Sequence, residues 1–204
     1  LGTFCYTTQA VFPIYFVMRV SHEPSTAGPW KFQPKLQGVE SAWSPDDGTY
    51  KLYENYHREI AGDDIGYRFS YDDLGEGEQV TVRMGVSFVS IENALMNLEA
   101  EQQGKTFDQL RAEATARGNH DLGRIRIEGG TPDQQTIFYT ALYHALIHPS
   151  IISDVNGEYP KMESGDTGKA DYTRYSVFSL WDTSRNLHPL LTLVYPERQT
   201  DMLR

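Results

Sequence analysis

The hydrophobic period of this chain changes once, near residue 90, and that change limits the folds open to it. Before it, apolar residues alternate. Val80, Val82, Met84, Val86 and Phe88 share one face of an extended run, with Thr81, Arg83 and Ser87 opposite, the pattern of a half-buried strand in a sandwich. After it the spacing is helical. Ser90 is placed to cap, and Ile91, Ala94, Leu95 and Leu98 fall at i, i+3, i+4 and i+7. An alternating parallel sheet needs interleaved strands and helices; a chain that is β first and α afterwards points instead to an α+β, multidomain protein.

Within the first block, Thr3–Val20 reads as aromatic and β-branched strand broken at Pro13, and Glu23–Asp47 as a long loop or a pair of short strands. Tyr50–Tyr56 and Gly66–Tyr71 alternate loosely, with turns expected at Asp63–Gly66 and Asp72–Gly75. In the second block Gly104 ends the first helix, and Thr106 with Gln109 opens another that weakens at Gly118–Asn119. Thr131-Pro132-Asp133-Gln134 is the best helix start in the chain, with a cap, a proline at the first position and a capping-box glutamine. It launches Gln135–His148 with Ile137, Phe138, Ala141, Leu142 and Ala145 along one stripe. Asn156-Gly157 is a hairpin-type turn, and the last thirty or so residues return to helix. Both ends read as cut, so the chain is expected to be an internal piece of a longer protein or its only ordered part.

The balance of charge excludes some partners. A net charge of −10 and a pI near 5.0 disfavour nucleic acid and anionic membrane surfaces. No run of apolar residues is long enough to span a bilayer. Cys5 is the single cysteine and allows no internal disulfide. The glycines never form a phosphate-binding fingerprint, and MGVSF lacks the second glycine of a nucleophile elbow. His144 and His148 have metal-ligand spacing without a glutamate between them, and surface or satisfied histidines are the simpler reading. Asp154–Tyr159 starts like a calcium loop, but its glycine comes too early and no glutamate closes it; a β-turn fits better. Asp154 could still face a site if its loop packs near Trp181.

Tyr175–Arg185 holds the strongest candidate. Ser179-x-x-Asp182 reads as a helix start in which the hydroxyl accepts from the Asp182 N–H, with Asp182 and Arg185 pointing the same way beside Trp181. An indole beside a polar pair can hold a sugar, stacking on its C–H face and bonding its hydroxyls. In isolation the same residues also read as a core tryptophan beside a local helix ion pair.

Four segments, VRMGVSFVSIENALMNLEAE, TIFYTALYHALIHP, SDVNGEYP and YSVFSLWDTSRNLHPLLTLVYPER, resemble in this order parts of glycoside hydrolase family 92. The chain departs from it at Gly118–His120, where similar proteins usually carry a tryptophan. The resemblance implies a calcium-dependent, inverting exo-α-mannosidase of a kind common in bacteria that consume host or yeast glycans. It implies the latter part of an N-terminal β-sandwich over residues 1–89, a helical linker over 90–130, and the opening helices of an (α/α)6 barrel over 131–204. By the same resemblance Trp181, Asp182 and Arg185 line the terminal mannose subsite; His188 is a second-tier candidate, the alternative being that it simply positions the helix before Pro189. No catalytic residue is carried over: the general acid, the base carboxylates and the calcium ligands are expected outside this chain. The implied partners are a mannose-containing glycan and the remainder of the polypeptide, and the implied location is periplasmic, cell-surface or secreted. The chain alone is then expected to be inactive. The alternative is a non-catalytic carbohydrate-binding or scaffold protein of the same architecture.

Overall fold

A computed structural model describes residues 2–3, 11–33, 49–56, 60–62, 64–161 and 164–204. Its strands are β1 (Gly2–Thr3), β2 (Val11–Phe12), β3 (Tyr15–Val20), β4 (Thr26–Gln33), β5 (Thr49–Leu52), β6 (Ile65–Ser70) and β7 (Val82–Ser87). Helices α1 (Ile91–Gln102), α2 (Phe107–Leu122) and α3 (Pro132–Ile147) follow, then β8 (Glu158–Pro160), β9 (Thr167–Lys169), α4 (Leu180–Thr183), α5 (Leu187–Val194) and α6 (Pro196–Met202). This is the α+β order expected. The chain divides into two compact units, Arg19–Val82 and Leu1–Met18 with Arg83–Arg204. Strands β3 and β7 pair with each other.

The Arg19–Val82 unit is built on an antiparallel sheet of order β5-β4-β6. Of the two readings of Glu23–Asp47, a long loop or a pair of short strands, Thr26–Gln33 follows the second; residues 34 to 48 lie outside the described residues, as does Cys5. Strand β4 contains Pro29, which has no N–H to give a ladder. The Pro29 carbonyl accepts from the Tyr53 N–H at 2.9 Å, so its missing N–H faces the residue just past the end of β5. There it costs the ladder one bond at most. Trp30 lies opposite Gly66, where a Cβ would come within 2.4 Å of the indole, so glycine makes room for the ring. Tyr50 packs edge-on to Trp30 at 5.2 Å and donates to Asp64 at 2.9 Å.

In the other unit β7 packs on α1, and the face it uses is not the one expected. Val82, Met84 and Val86 are about half exposed, whereas Gly85 and Ser87 are buried. The cause is close approach: a Cβ on Gly85 would lie 2.1 Å from the Ala94 carbonyl oxygen and 2.6 Å from the Leu98 side chain. Only glycine lets the strand come so near the helix. Polar side chains then stitch the two together. Asn97 donates to the Val86 carbonyl (2.8 Å), Gln102 to that of Met84 (2.9 Å), and Arg83 to Gln102 and Lys105 at the end of α1.

Local rules set the helix starts. Ser90 caps α1, and the Thr106/Gln109 and Thr131/Gln134 boxes form in full. Helix α2 runs through Gly118–Asn119 to Leu122 rather than weakening there. No strand forms at Ile125 or Ile127. The buried stripe of α3 is rotated from the expected one: Ile137 is 68 % exposed, while Leu142 is buried and Phe138, Tyr139 and Leu146 pack beside it. Leu142, Leu191 and Tyr195 form the core of this helical region, each contributing about 1.5–3 kcal/mol by leaving water. Tyr195 is fully buried, donates to the Asp121 carbonyl at 2.9 Å and stacks between Arg124 and Arg198. Those arginines pair with Glu197 and Asp121 respectively.

Candidate functional site

Trp181 and Asp182 sit on α4, a single turn of four residues. Ser179 occupies the cap position, but its side chain makes no capping bond. The Asp182 and Thr183 N–H groups instead donate to its carbonyl, both at 3.1 Å. This corrects the expected hydroxyl cap. The turn ends at Thr183, so Arg185 follows the helix rather than lying within it, and the described structure shows no ion pair between Asp182 and Arg185. Trp181 is 88 % exposed, which overturns its reading as a core residue. All three candidate side chains are thus presented together to solvent on one short segment.

What holds that segment is internal. Thr183 is the one α4 side chain that is part-buried. Its hydroxyl donates to the Ser179 carbonyl at 2.9 Å and meets His188 Nε2, also at 2.9 Å. His188 is buried in α5, stacks on Phe178 with ring centres 4.5 Å apart, and reaches Gln199 Oε1 of α6 through Nδ1 at 3.1 Å. Thr183 and Gln199 gave no sign in the sequence.

Asp154 commits its carboxylate to the fold. It is buried, and its carboxylate accepts from Ser87 (2.7 Å), Asn93 (2.8 Å) and Asn97 (2.7 Å). Asn93 also donates to Glu158 at 2.9 Å. That bond, followed by the Asn156 amide, holds the Glu158 carboxyl below its ordinary range. Backbone bonds from Asp154 to Glu158 and from Gly157 back to Asp154 close the turn, with Gly157 at φ +83°. The turn reading of Asp154–Tyr159 holds. Asn93 and Asn97, one helical turn apart, were the available signal: two amides on the face that also carries Ala94 and Leu98.

Metal ligation finds no support in this segment. His148 lies beyond the end of α3, and its Nε2 contacts the Val177 carbonyl at 2.9 Å. Among the described residues no three His, Cys, Asp or Glu side chains cluster as a metal site. The Asp154 oxygens already accept three hydrogen bonds. The donor set present does not fit calcium. No described helix is long and apolar enough to cross a membrane.

The α+β chain is similar to carbohydrate-active enzymes of known structure. It is similar to a family GH92 α-mannosidase from Bacteroides thetaiotaomicron, with 30 % identity and a TM-score of 0.68 over 93 % of this chain and 24 % of that one. A GH92 inverting mannosidase from Bacteroides thetaiotaomicron VPI-5482 matches with 28 % identity and a TM-score of 0.72, over 92 % of this chain and 23 % of its own. An uncharacterized secreted glycosidase of Arthroderma benhamiae is 33 % identical over 90 residues, 42 % of this chain and 11 % of that protein. Residues 93–204 match the model of the glycosyl hydrolase family 92 catalytic domain, more than half of the sequence, and the chain belongs to that family. It spans about a quarter of the length of the solved relatives and about a tenth of the curated one.

Proposed function

We propose that the protein carrying this chain is a glycoside hydrolase that removes terminal α-linked mannose from glycans by an inverting displacement. Trp181, Asp182 and Arg185 line its terminal mannose subsite. Trp181 offers an indole to the C–H face of the sugar, Asp182 accepts from ring hydroxyls, and Arg185 supports that carboxylate. The observation that carries this reading is the solvent-facing Trp181–Asp182 turn in a chain of this family. A relative's complex with mannoimidazole supports a mannose-shaped ligand.

In this reading residues 1–89 belong to a β-sandwich, 90–130 to a helical linker and 131–204 to the start of an (α/α)6 barrel. The carboxylates that act as acid and base, and the ligands of the calcium ion, are supplied by residues outside this chain. Among the described residues no His, Cys, Asp or Glu side chains cluster as a calcium site. The protein acts outside the cytoplasm, in the periplasm, at the cell surface or secreted, in keeping with the secreted relative.

The test is mannose release from an α-1,2-linked mannobiose by the complete reading frame and by residues 1–204 alone, each before and after exhaustive calcium chelation. Release by the complete protein only, lost on chelation, is the expected result. Full activity after chelation would overturn the calcium dependence. Mannobiose binding without release would turn the reading to a carbohydrate-binding protein.

A further inference from the structure

The Trp181–Asp182 turn is too short to hold itself. Four residues form less than the costly nucleus of a stable helix, and three of its side chains face solvent. Its rigidity has to come from the fourth, Thr183, and from what Thr183 touches.

We propose that His188 is a positioning residue of the sugar site, acting with Thr183 and Gln199 as a buried relay that fixes the turn carrying Trp181 and Asp182. This rests on the mannose-subsite reading above. The hydrogen bonding sets the direction of the relay. A threonine hydroxyl has one hydrogen, and that of Thr183 is used on the Ser179 carbonyl at 2.9 Å. Toward His188 the same oxygen can only accept, so the 2.9 Å contact requires a proton on Nε2. The other ring nitrogen, Nδ1, is held 3.1 Å from the Gln199 carboxamide. As placed, the carboxamide turns its oxygen to Nδ1; turned over, it would present its NH2 there instead, and either orientation leaves Nε2–H aimed at Thr183. The Phe178 ring against the imidazole fixes its plane. Three helices therefore meet in one line of contacts, α6 through Gln199, α5 through His188 and α4 through Thr183. The exposed end of that line is the proposed sugar-binding surface. A loose turn would present Trp181 and Asp182 in many orientations, and a misplacement of about 1 Å can cost roughly 100-fold in kcat/KM.

The experiment measures kcat and KM for an α-1,2-linked mannobiose, with thermal midpoints, on the complete protein and on five variants. Thr183→Val keeps the shape and removes the hydroxyl. His188→Asn can offer an amide only where Nδ1 was, and His188→Gln can place one where Nε2 was. Thr183→Ser restores the hydroxyl, and Asp182→Ala reports on the sugar site itself. The expected result is a loss in kcat/KM of about tenfold or more in Thr183→Val and His188→Asn, carried largely by KM, with midpoints close to wild type. Thr183→Ser and His188→Gln are expected within about threefold of wild type. Should Asp182→Ala abolish activity while Thr183→Val and His188→Asn stay within twofold of wild type, the relay is overturned and the subsite stands. Retained activity in Asp182→Ala overturns both. Variants that lose midpoint but keep KM assign these residues to folding alone, which also overturns the relay; should His188→Asn not fold, Thr183→Val with its serine rescue decides the matter.

Discussion

Asp154 and Asp182 are both carboxylates of the same compact unit, and they live in opposite circumstances. Asp154 is buried, and three side-chain donors from β7 and α1 close on its oxygens. Asp182 is exposed beside an 88 % exposed tryptophan and has no side-chain partner among the described residues. A buried charge persists only where it is well hydrogen-bonded, and three of the roughly four acceptor sites of Asp154 are taken by the fold. The exposure of Trp181 and the uncommitted carboxylate of Asp182 fit the sugar-binding role proposed for them. Burial and satisfaction, more than residue type, separate the structural carboxylate from the one proposed to bind sugar.

The comparison can be broken from either side, and the larger effect is expected from the buried end. Asp154→Ala strands Ser87, Asn93 and Asn97 without their acceptor. Each bond to a charged group is worth about 1.5–3 kcal/mol and the three are not additive, so a loss of about 3–5 kcal/mol is expected in denaturant unfolding of the complete protein. A loss under about 1 kcal/mol would mean that the turn after Asp154 is held by its backbone bonds alone. Asp182→Ala is expected to do the reverse. Mannose release should fall about 100-fold, equivalent to about 2.7 kcal/mol of transition-state stabilisation. Stability should stay within about 0.5 kcal/mol, as for other exposed substitutions. If Asp182→Ala destabilises the fold instead, the two carboxylates are not different in kind.

The two sites were unequally legible in the sequence for a physical reason. Trp181, Asp182 and Arg185 are near neighbours, so their grouping could be read directly, and the Thr106 and Thr131 boxes formed because capping chemistry is local. The Asp154 cluster joins residues separated by 57 to 67 positions, and no local rule connects them. The same limit explains β7. Alternation shows that a strand has two unlike faces, but the buried one is decided by the partner, and here α1 takes the side of Gly85 and Ser87. Even at the candidate site the geometry was misjudged: Ser179 caps with its carbonyl, and the inward anchor is Thr183.

Gly85→Ala sharpens the account of β7 with a smaller effect. The new methyl group would meet the Ala94 carbonyl and Leu98, backbone and packed side chain that cannot both retreat. A loss of about 1–3 kcal/mol is expected from overpacking, read as a lower midpoint in urea. Substitution of Gly104, where nothing lies within 4 Å, meets only the strain of its positive φ (+73°) and should cost about 1–2 kcal/mol.

The smallest effect tests how the buried cluster meets acid. Amide bonds from Asn93, then Asn156, lower the Glu158 pKa, and pairing with Arg124 lowers that of Glu197. For a depressed carboxyl the stability is present above the unfolded value, about 4.3, and is lost as pH falls through the folded value. Both groups therefore contribute to an acid limb beginning near that value and continuing below it. They differ in their screening. Glu197 is 54 % exposed and faces a guanidinium, so added salt should weaken its share. Glu158 is held chiefly by neutral amides, whose hydrogen bonds salt barely touches. Unfolding midpoints followed from pH 7 to pH 3 should keep a residual acid limb at high salt in the unaltered protein and lose it in Glu158→Gln. A limb that vanishes with salt alone would assign the acid response to the Arg124–Glu197 pair, and the Asp154 cluster would then meet acid without Glu158 taking up a proton.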